Sequence, residues 1–172
     1  ERASVNADLS ARGGTRNGDG GLVETSAHRL QVSTSPDVSA PAGEGGTWLI
    51  DPFNITVVDG SGLTNNSGPN AFTPTGDDSV IGNNLIQAQL NAGNTVILNT
   101  LGGGTQPGHV VFNVGINKTA GGNATLRVIA DGNIVVNNGA NITSDVGQLA
   151  IDFLADRDGD QLVIVGIVGP LS

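Results

Sequence analysis

The sequence predicts an all-β fold, a solenoid in which each turn of chain pairs in parallel with the next, and three observations predict it. The first is an internal repeat, sought first because a missed period misassigns the whole fold. Gly20-Gly21-Leu22-Val23-Glu24-Thr25 falls against Gly45-Gly46-Thr47-Trp48-Leu49-Ile50, and Val32 against Val57, each at a spacing of 25. The second is alternation of apolar and polar residues inside the repeated units, the mark of short strands with one face buried. The third is punctuation and composition. Asp59-Gly60, Asp131-Gly132, Asn138-Gly139 and Asp158-Gly159 turn a chain within a few residues. With 27 Gly, one Trp, four Phe and no Tyr in 172 residues, the interior must be a narrow column of Val, Leu, Ile and Ala. The same turns and alternation allow an antiparallel sandwich or barrel; the matched offsets favour the solenoid.

Taken in order, residues 1–58 read as N-terminal rungs. Leu9-Ser10-Ala11 matches Val38-Ser39-Ala40 at a spacing of 29, which a strand of constant length followed by the variable Gly-rich turn Gly13 to Gly20 explains. Trp48 is expected to cover a corner of the solenoid or stack beneath a helix, and Pro52 to end or bend a strand. Residues 59–93 break the pattern as an insertion. Asp59 to Thr75 is a loop rich in Gly, Asn, Ser and Pro, of the kind that decorates a scaffold. Residues 79–92 then predict a helix, with Asp78-Ser79 as its cap, Leu85, Ile86, Gln89 and Leu90 at helical spacing and Gly93 to end it. It is expected to lie on the side of the solenoid with that stripe against a sheet face. Residues 94–172 return to rungs: Asn94 to Leu98 reads as strand, and Asn123 to Asp131 matches Gly147 to Asp156 at an offset of 23 to 25. The whole chain, 1–172, reads as one β-helical segment.

Charge and composition exclude several functions. Seven Lys and Arg against sixteen Asp and Glu leave a net charge of -9, which opposes a sequence-independent grip on nucleic-acid phosphates. With no Cys the chain is neither a disulfide scaffold nor a thiol enzyme. No apolar run of 18 residues is present, so no membrane-spanning helix is expected. The acidic, Gly-, Asn- and Thr-rich, Lys-poor composition points outside the cell. A chain without Met that begins Glu1-Arg2-Ala3 is expected to be a processed or excised piece.

Gly20-Gly21-Leu22-Val23-Glu24-Thr25-Ser26, followed by Gly46-Thr47-Trp48-Leu49-Ile50-Asp51-Pro52-Phe53-Asn54-Ile55-Thr56-Val57, resembles a segment of the filamentous-haemagglutinin-like exoproteins, large bacterial surface proteins exported by two-partner (type V) secretion. The resemblance continues through Asn94-Thr95-Val96-Ile97, Ile116 to Leu126 and Leu154 to Asp160, nearly the whole chain. It implies a right-handed parallel β-helix, part of the shaft of a secreted or cell-surface adhesin or fibre that mediates attachment, aggregation or matrix formation. The implied partners are host or neighbouring cell surfaces, glycans or matrix, and, for the parent chain, an outer-membrane transporter.

No catalytic constellation stands out. His28 and His109 fall on different turns and read as solvent-facing residues at strand ends, and no phosphate loop or nucleophile elbow is present. No catalytic or cofactor-binding residue is therefore assigned, and the chain is expected not to be an enzyme. The alternative is a β-helix enzyme acting on polysaccharide, which needs paired carboxylates in a groove; the matched strands offer Asp152 alone. Asp156, Asp158 and Asp160 are weak candidate ligands for calcium, although Gln161 and Ile167 stand where an EF-hand loop has Gly and Glu; an acidic turn exposed to water explains them better. Asn54, Asn65, Asn117, Asn123 and Asn141 each begin a glycosylation sequon, while Asn also serves turns and stacked ladders. The apolar run Gln161 to Val168 and the unpaired strands at either end suggest copies stacking head to tail.

Overall fold

The computed structural model describes residues 2–60, 78–100 and 106–157. Among them the protein is mostly strand with one short helix. In chain order the elements are β1 (Arg2–Val5), β2 (Leu22–Ser26), β3 (Arg29–Val32), β4 (Thr47–Asp51), β5 (Asn54–Val58), β6 (Asp78–Gly82), α1 (Asn83–Asn91) and β7 (Thr95–Asn99). There follow β8 (Val110–Phe112), β9 (Ile116–Lys118), β10 (Ala124–Ile129), β11 (Ile134–Val136), β12 (Ile142–Ser144) and β13 (Leu149–Leu154). Every described pairing between these strands is parallel, which overturns the antiparallel alternative. Five strands form one sheet in the order β2-β4-β7-β10-β13, four form a second in the order β6-β5-β8-β11, and β9-β12 and β1-β3 make two-stranded sheets. From β7 onward the chain visits the five-stranded sheet, the four-stranded sheet and the β9-β12 sheet in turn, then repeats.

The repeat sets the register. Leu22 lies opposite Thr47 and Ala124 opposite Leu149, both 25 residues apart; Val110 opposite Ile134 is 24 apart and Ile116 opposite Ile142 is 26. Because side chains alternate across a strand, in-register pairing sends every second residue inward. Trp48, Val96 and Leu126 form one inward row, and Ile50, Leu98 and Val128 the next, all 1% exposed or less. Each aliphatic so buried contributes about 1.5–3 kcal/mol. Trp48 therefore belongs to the middle of the sheet's inner face, not to a corner, and its indole N–H donates to Thr25 Oγ1 at 3.1 Å. Pro52 separates β4 from β5, as its missing N–H requires.

Three expectations are corrected. The helix begins at Asn83, not residue 79: Ser79 to Gly82 are strand, paired with β5 from Asn54 opposite Asp78 to Val58 opposite Gly82. The β-branched Val80 and Ile81 add to that ladder. The N-cap is then Gly82, with no side-chain capping bond, so Asp78 and Ser79 do not cap. Gly93 does end the helix, in the left-handed region at φ 78°. Second, α1 is no decoration on the side of the fold: its apolar stripe does face the strands, with Leu85, Ile86 and Leu90 in the common core, but its amide side chains bond it into the wall, to Pro36 on one flank and to β9 on the other. Third, Ser10 pairs with Asp37, a spacing of 27, where 29 was expected. A slip of two residues leaves every side chain on the same face.

The loop beyond Gly60 up to Thr75, and with it Asn65, lies outside the described residues, as do Asp158, Asp160 and the run Gln161 to Val168.

Candidate functional site

The widest outward surface is the five-stranded sheet, and its side chains follow from the same alternation. Thr47, Thr95 and Thr125 lie in register as a threonine row. Beside it runs the row Glu24, Leu49, Ile97, Arg127 and Asp152. Arg127 Nε approaches Asp152 Oδ2 at 3.1 Å, with the side chains 43% and 48% exposed, so the pair is screened and worth little in stability. It does occupy Asp152, the single groove carboxylate the sequence offered. Ser26 lies opposite Asp51 in the last row, which Asn99 and Ile129 continue.

Two carboxyls on this scaffold are shifted in opposite directions. Burial pushes Asp51 above the usual carboxylate range, Glu24 on the neighbouring strand adds to the rise, and a hydrogen bond from the Asn99 side chain opposes it. Asp37 is held below its ordinary value by the Ser39 hydroxyl, which donates at 2.6 Å, then by the Ser39 backbone N–H at 3.0 Å, with Arg12 contributing less.

The β9-β12 surface is polar and knitted together. Thr143 Oγ1 donates to Asn117 Oδ1 at 2.9 Å, and Asn117 Nδ2 donates to Asp145 Oδ2 at 2.9 Å. Similarly, Asn137 Nδ2 donates to Asn113 Oδ1 at 2.7 Å. Such bonds tie successive turns of the chain to one another along this surface.

Helix α1 is spliced into that wall by its amide side chains. Gln87 Oε1 accepts from Asn117 N–H at 2.8 Å, and Asn91 Oδ1 accepts from the N–H groups of Thr119 and Ala120 at 2.8 and 3.0 Å. On its other flank the buried Gln89 Nε2 donates to Pro36 O at 2.7 Å, while Asn94 Nδ2 donates to Gln89 Oε1 at 2.9 Å. The side chains thus serve backbone groups that a strand in this position would have served. The density of Asn and Gln between Asn83 and Asn94 is the signal in the sequence that could have found this role. Lys118 was also missed. It points inward, fully buried, and its ammonium donates to the carbonyl oxygens of Ala120, Gly121 and Val146.

The expected site residues are placed as follows. His28 is exposed between β2 and β3 and stacks on Phe53, ring centroids 4.0 Å apart. His109 is half-buried just before β8 and accepts the Asn133 N–H at Nδ1, 2.9 Å away. Both lie at strand ends, but only His28 is as open to solvent as expected. Asp156 takes the left-handed conformation, φ 57°, and its N–H donates to Gly132 O at 2.9 Å. Among the described residues no group of three or more His, Cys, Asp or Glu is placed to hold a metal ion. Of the sequon residues, Asn54 accepts the His109 N–H, Asn123 accepts the Gln148 N–H, and Asn117 is bonded as above. Three of the five therefore serve strand-to-strand bonding; Asn141 is exposed. No helix among the described residues is long and apolar enough to cross a membrane. No family model matches the chain, and no curated protein matches it.

Proposed function

We propose that the protein is a rigid segment of an extracellular adhesive or structural fibre, built as a right-handed parallel β-helix. The observation that carries this reading is the in-register parallel pairing of strands one repeat apart, on successive sheets, around an aliphatic column. Parallel strands joined by crossovers adopt the right-handed connection in nearly all cases, and a stack of this kind grows by adding repeats. Its outward rows, Thr47-Thr95-Thr125 and Glu24-Leu49-Ile97-Arg127-Asp152, run as ladders across the strands, with Arg127 engaged by Asp152, which suits contact with a surface more than bond chemistry. The fitting location is secreted or on a bacterial cell surface. The partners are cell surfaces, glycans or matrix, and copies of the chain.

The contact segment in this reading is Asp59 to Thr75, whose Gly, Asn, Ser and Pro content suits a recognition loop on a stiff scaffold. The test is adhesion of beads carrying the chain to cell and glycan-coated surfaces, compared with a chain in which residues 61–75 are replaced by a Gly-Ser segment of the same length. Adhesion should vanish while circular dichroism and the melting curve stay unchanged, because the replacement keeps the length of crossover that parallel pairing of β5 and β6 needs. Retained adhesion would move the contact elsewhere, and no adhesion by either chain would end the adhesive reading.

A further inference from the structure

Gly60 and Asn83, which flank residues 61–82, meet at one point. The Gly60 N–H donates to Asn83 Oδ1 at 3.2 Å, and the Asn84 N–H donates to Gly60 O at 3.1 Å. Asn83 Nδ2 also donates to Gly115 O at 3.0 Å, so both ends of the excursion are anchored to the same corner of the fold.

The returning strand β6 then takes an unusual place. It pairs along the whole of β5, on the side away from β8. Its other flank meets β3, where the Leu30 N–H donates to Ser79 Oγ at 3.1 Å. Strand β3 belongs to the two-stranded sheet with β1, and β6 ends the four-stranded sheet. Strands β3 and β5 are therefore not partners of each other: β6 pairs with one and touches the other. On the neighbouring sheet the strands of the same two repeats, β2 and β4, are direct partners at an offset of 25 residues. Carried over to β3, that offset sets Arg29–Val32 against Asn54–Val57, the first four residues of β5. The faces agree as well: Leu30 and Val32 are buried, as are Ile55 and Val57, while Gln31 and Thr56 are both half-buried.

We propose that β6 is an interposed strand: residues 61–82 are a separable insertion, and the slot between β3 and β5 closes without them, with Gln31 opposite Thr56 and Val32 opposite Val57. The slot is a site for one parallel strand, filled by the chain itself. The proposal stands apart from the adhesive reading, since it concerns pairing and not binding.

The chain has no Cys, so introduced pairs report pairing directly. Gln31→Cys with Thr56→Cys is placed in the full chain, in a chain with residues 61–82 replaced by Gly-Gly, and in a full-length chain with Ile81→Asp, which puts a charge at a fully buried position of β6 and so expels the strand. Glu24→Cys with Leu49→Cys, in register on β2 and β4, serves as the reference pair in all three. After mild oxidation the disulfides are read by mass and folding by cooperative urea unfolding. The 24–49 disulfide should form throughout. The 31–56 disulfide should form in the two altered chains and not in the full chain, because paired strands about 4.8 Å apart lie within disulfide reach and strands with a third between them do not. The proposal is overturned if both altered chains lose cooperative unfolding, if they fold without the 31–56 disulfide, or if the unaltered backbone forms it equally well.

Discussion

Lys118 is fully buried, and its place follows from strand alternation more than from its charge: Ile116 and Lys118 point inward and Asn117 outward. What makes the position tolerable is the set of three carbonyl oxygens around the ammonium, since a buried charge without such partners is expelled or neutralised. Ser144, its register partner, uses its hydroxyl in the same way, donating to Val146 O at 3.2 Å and Gly147 O at 3.1 Å. Asp51 is the opposite case, a carboxyl that the fold disfavours in its charged form. Its folded value is raised above the ordinary 3.8, so the native state binds more protons than the unfolded chain as pH rises past that value. Stability is lost over that interval, and ionised Asp51 remains a cost above it. Asp51→Asn should therefore raise the thermal midpoint at neutral pH. The gain should shrink towards zero in acid, where Asp51 is protonated; melting curves across pH 3 to 8 check this, and a gain that persists at the acid end would refute it.

At the scale of elements, α1 shows how a helix substitutes for a strand. Leu85, Ile86 and Leu90 fill the core, and the helical spacing of these residues was plain from the sequence. Its job in the wall was not, because Gln87 and Asn91 find their partners in Asn117, Thr119 and Ala120, about thirty residues away. Gln87→Ala should release the Asn117 amide, speeding its hydrogen exchange while Thr119 and Ala120 stay protected; Asn91→Ala should do the reverse. Equal loss of protection at all three in either variant would show that the helix undocks as a unit. Similarly, Ser79 to Gly82 lacks any local mark that forbids helix, and only the β5 ladder decides it.

For the molecule as a whole, neighbours on both sides decide what a residue is worth. Leu126 lies between Val96 and Ile151 in one inward row and is fully buried, whereas Ile151, on the last described strand of that sheet, is 48% exposed. Leu126→Ala should cost about 2–5 kcal/mol, the range for a filled core position. Ile151→Ala should cost well under half as much, because its side chain already meets solvent. Urea unfolding of the two variants checks the ratio, and equal costs would mean that Ile151 is covered in solution.

The sequence by itself determined the strand content, the 25-residue repeat behind β2-β4 and β10-β13, the alternation that turns Leu126 and Val128 inward, and the apolar stripe of α1. Each is a local or periodic property: alternation and spacing are visible along one dimension because burial repeats with the backbone. The tertiary structure alone decided that β6 stands between β3 and β5, that α1 takes a strand's place, and that Lys118 turns inward. These choices rest largely on hydrogen bonds between residues far apart in the chain, such as Leu30 with Ser79, Gln89 with Pro36 and Lys118 with Val146, whose partners become neighbours only once the strands stack. The matched pair Val32 and Val57 shows the boundary: the repeat assigns them equivalent places, and the insertion keeps them apart.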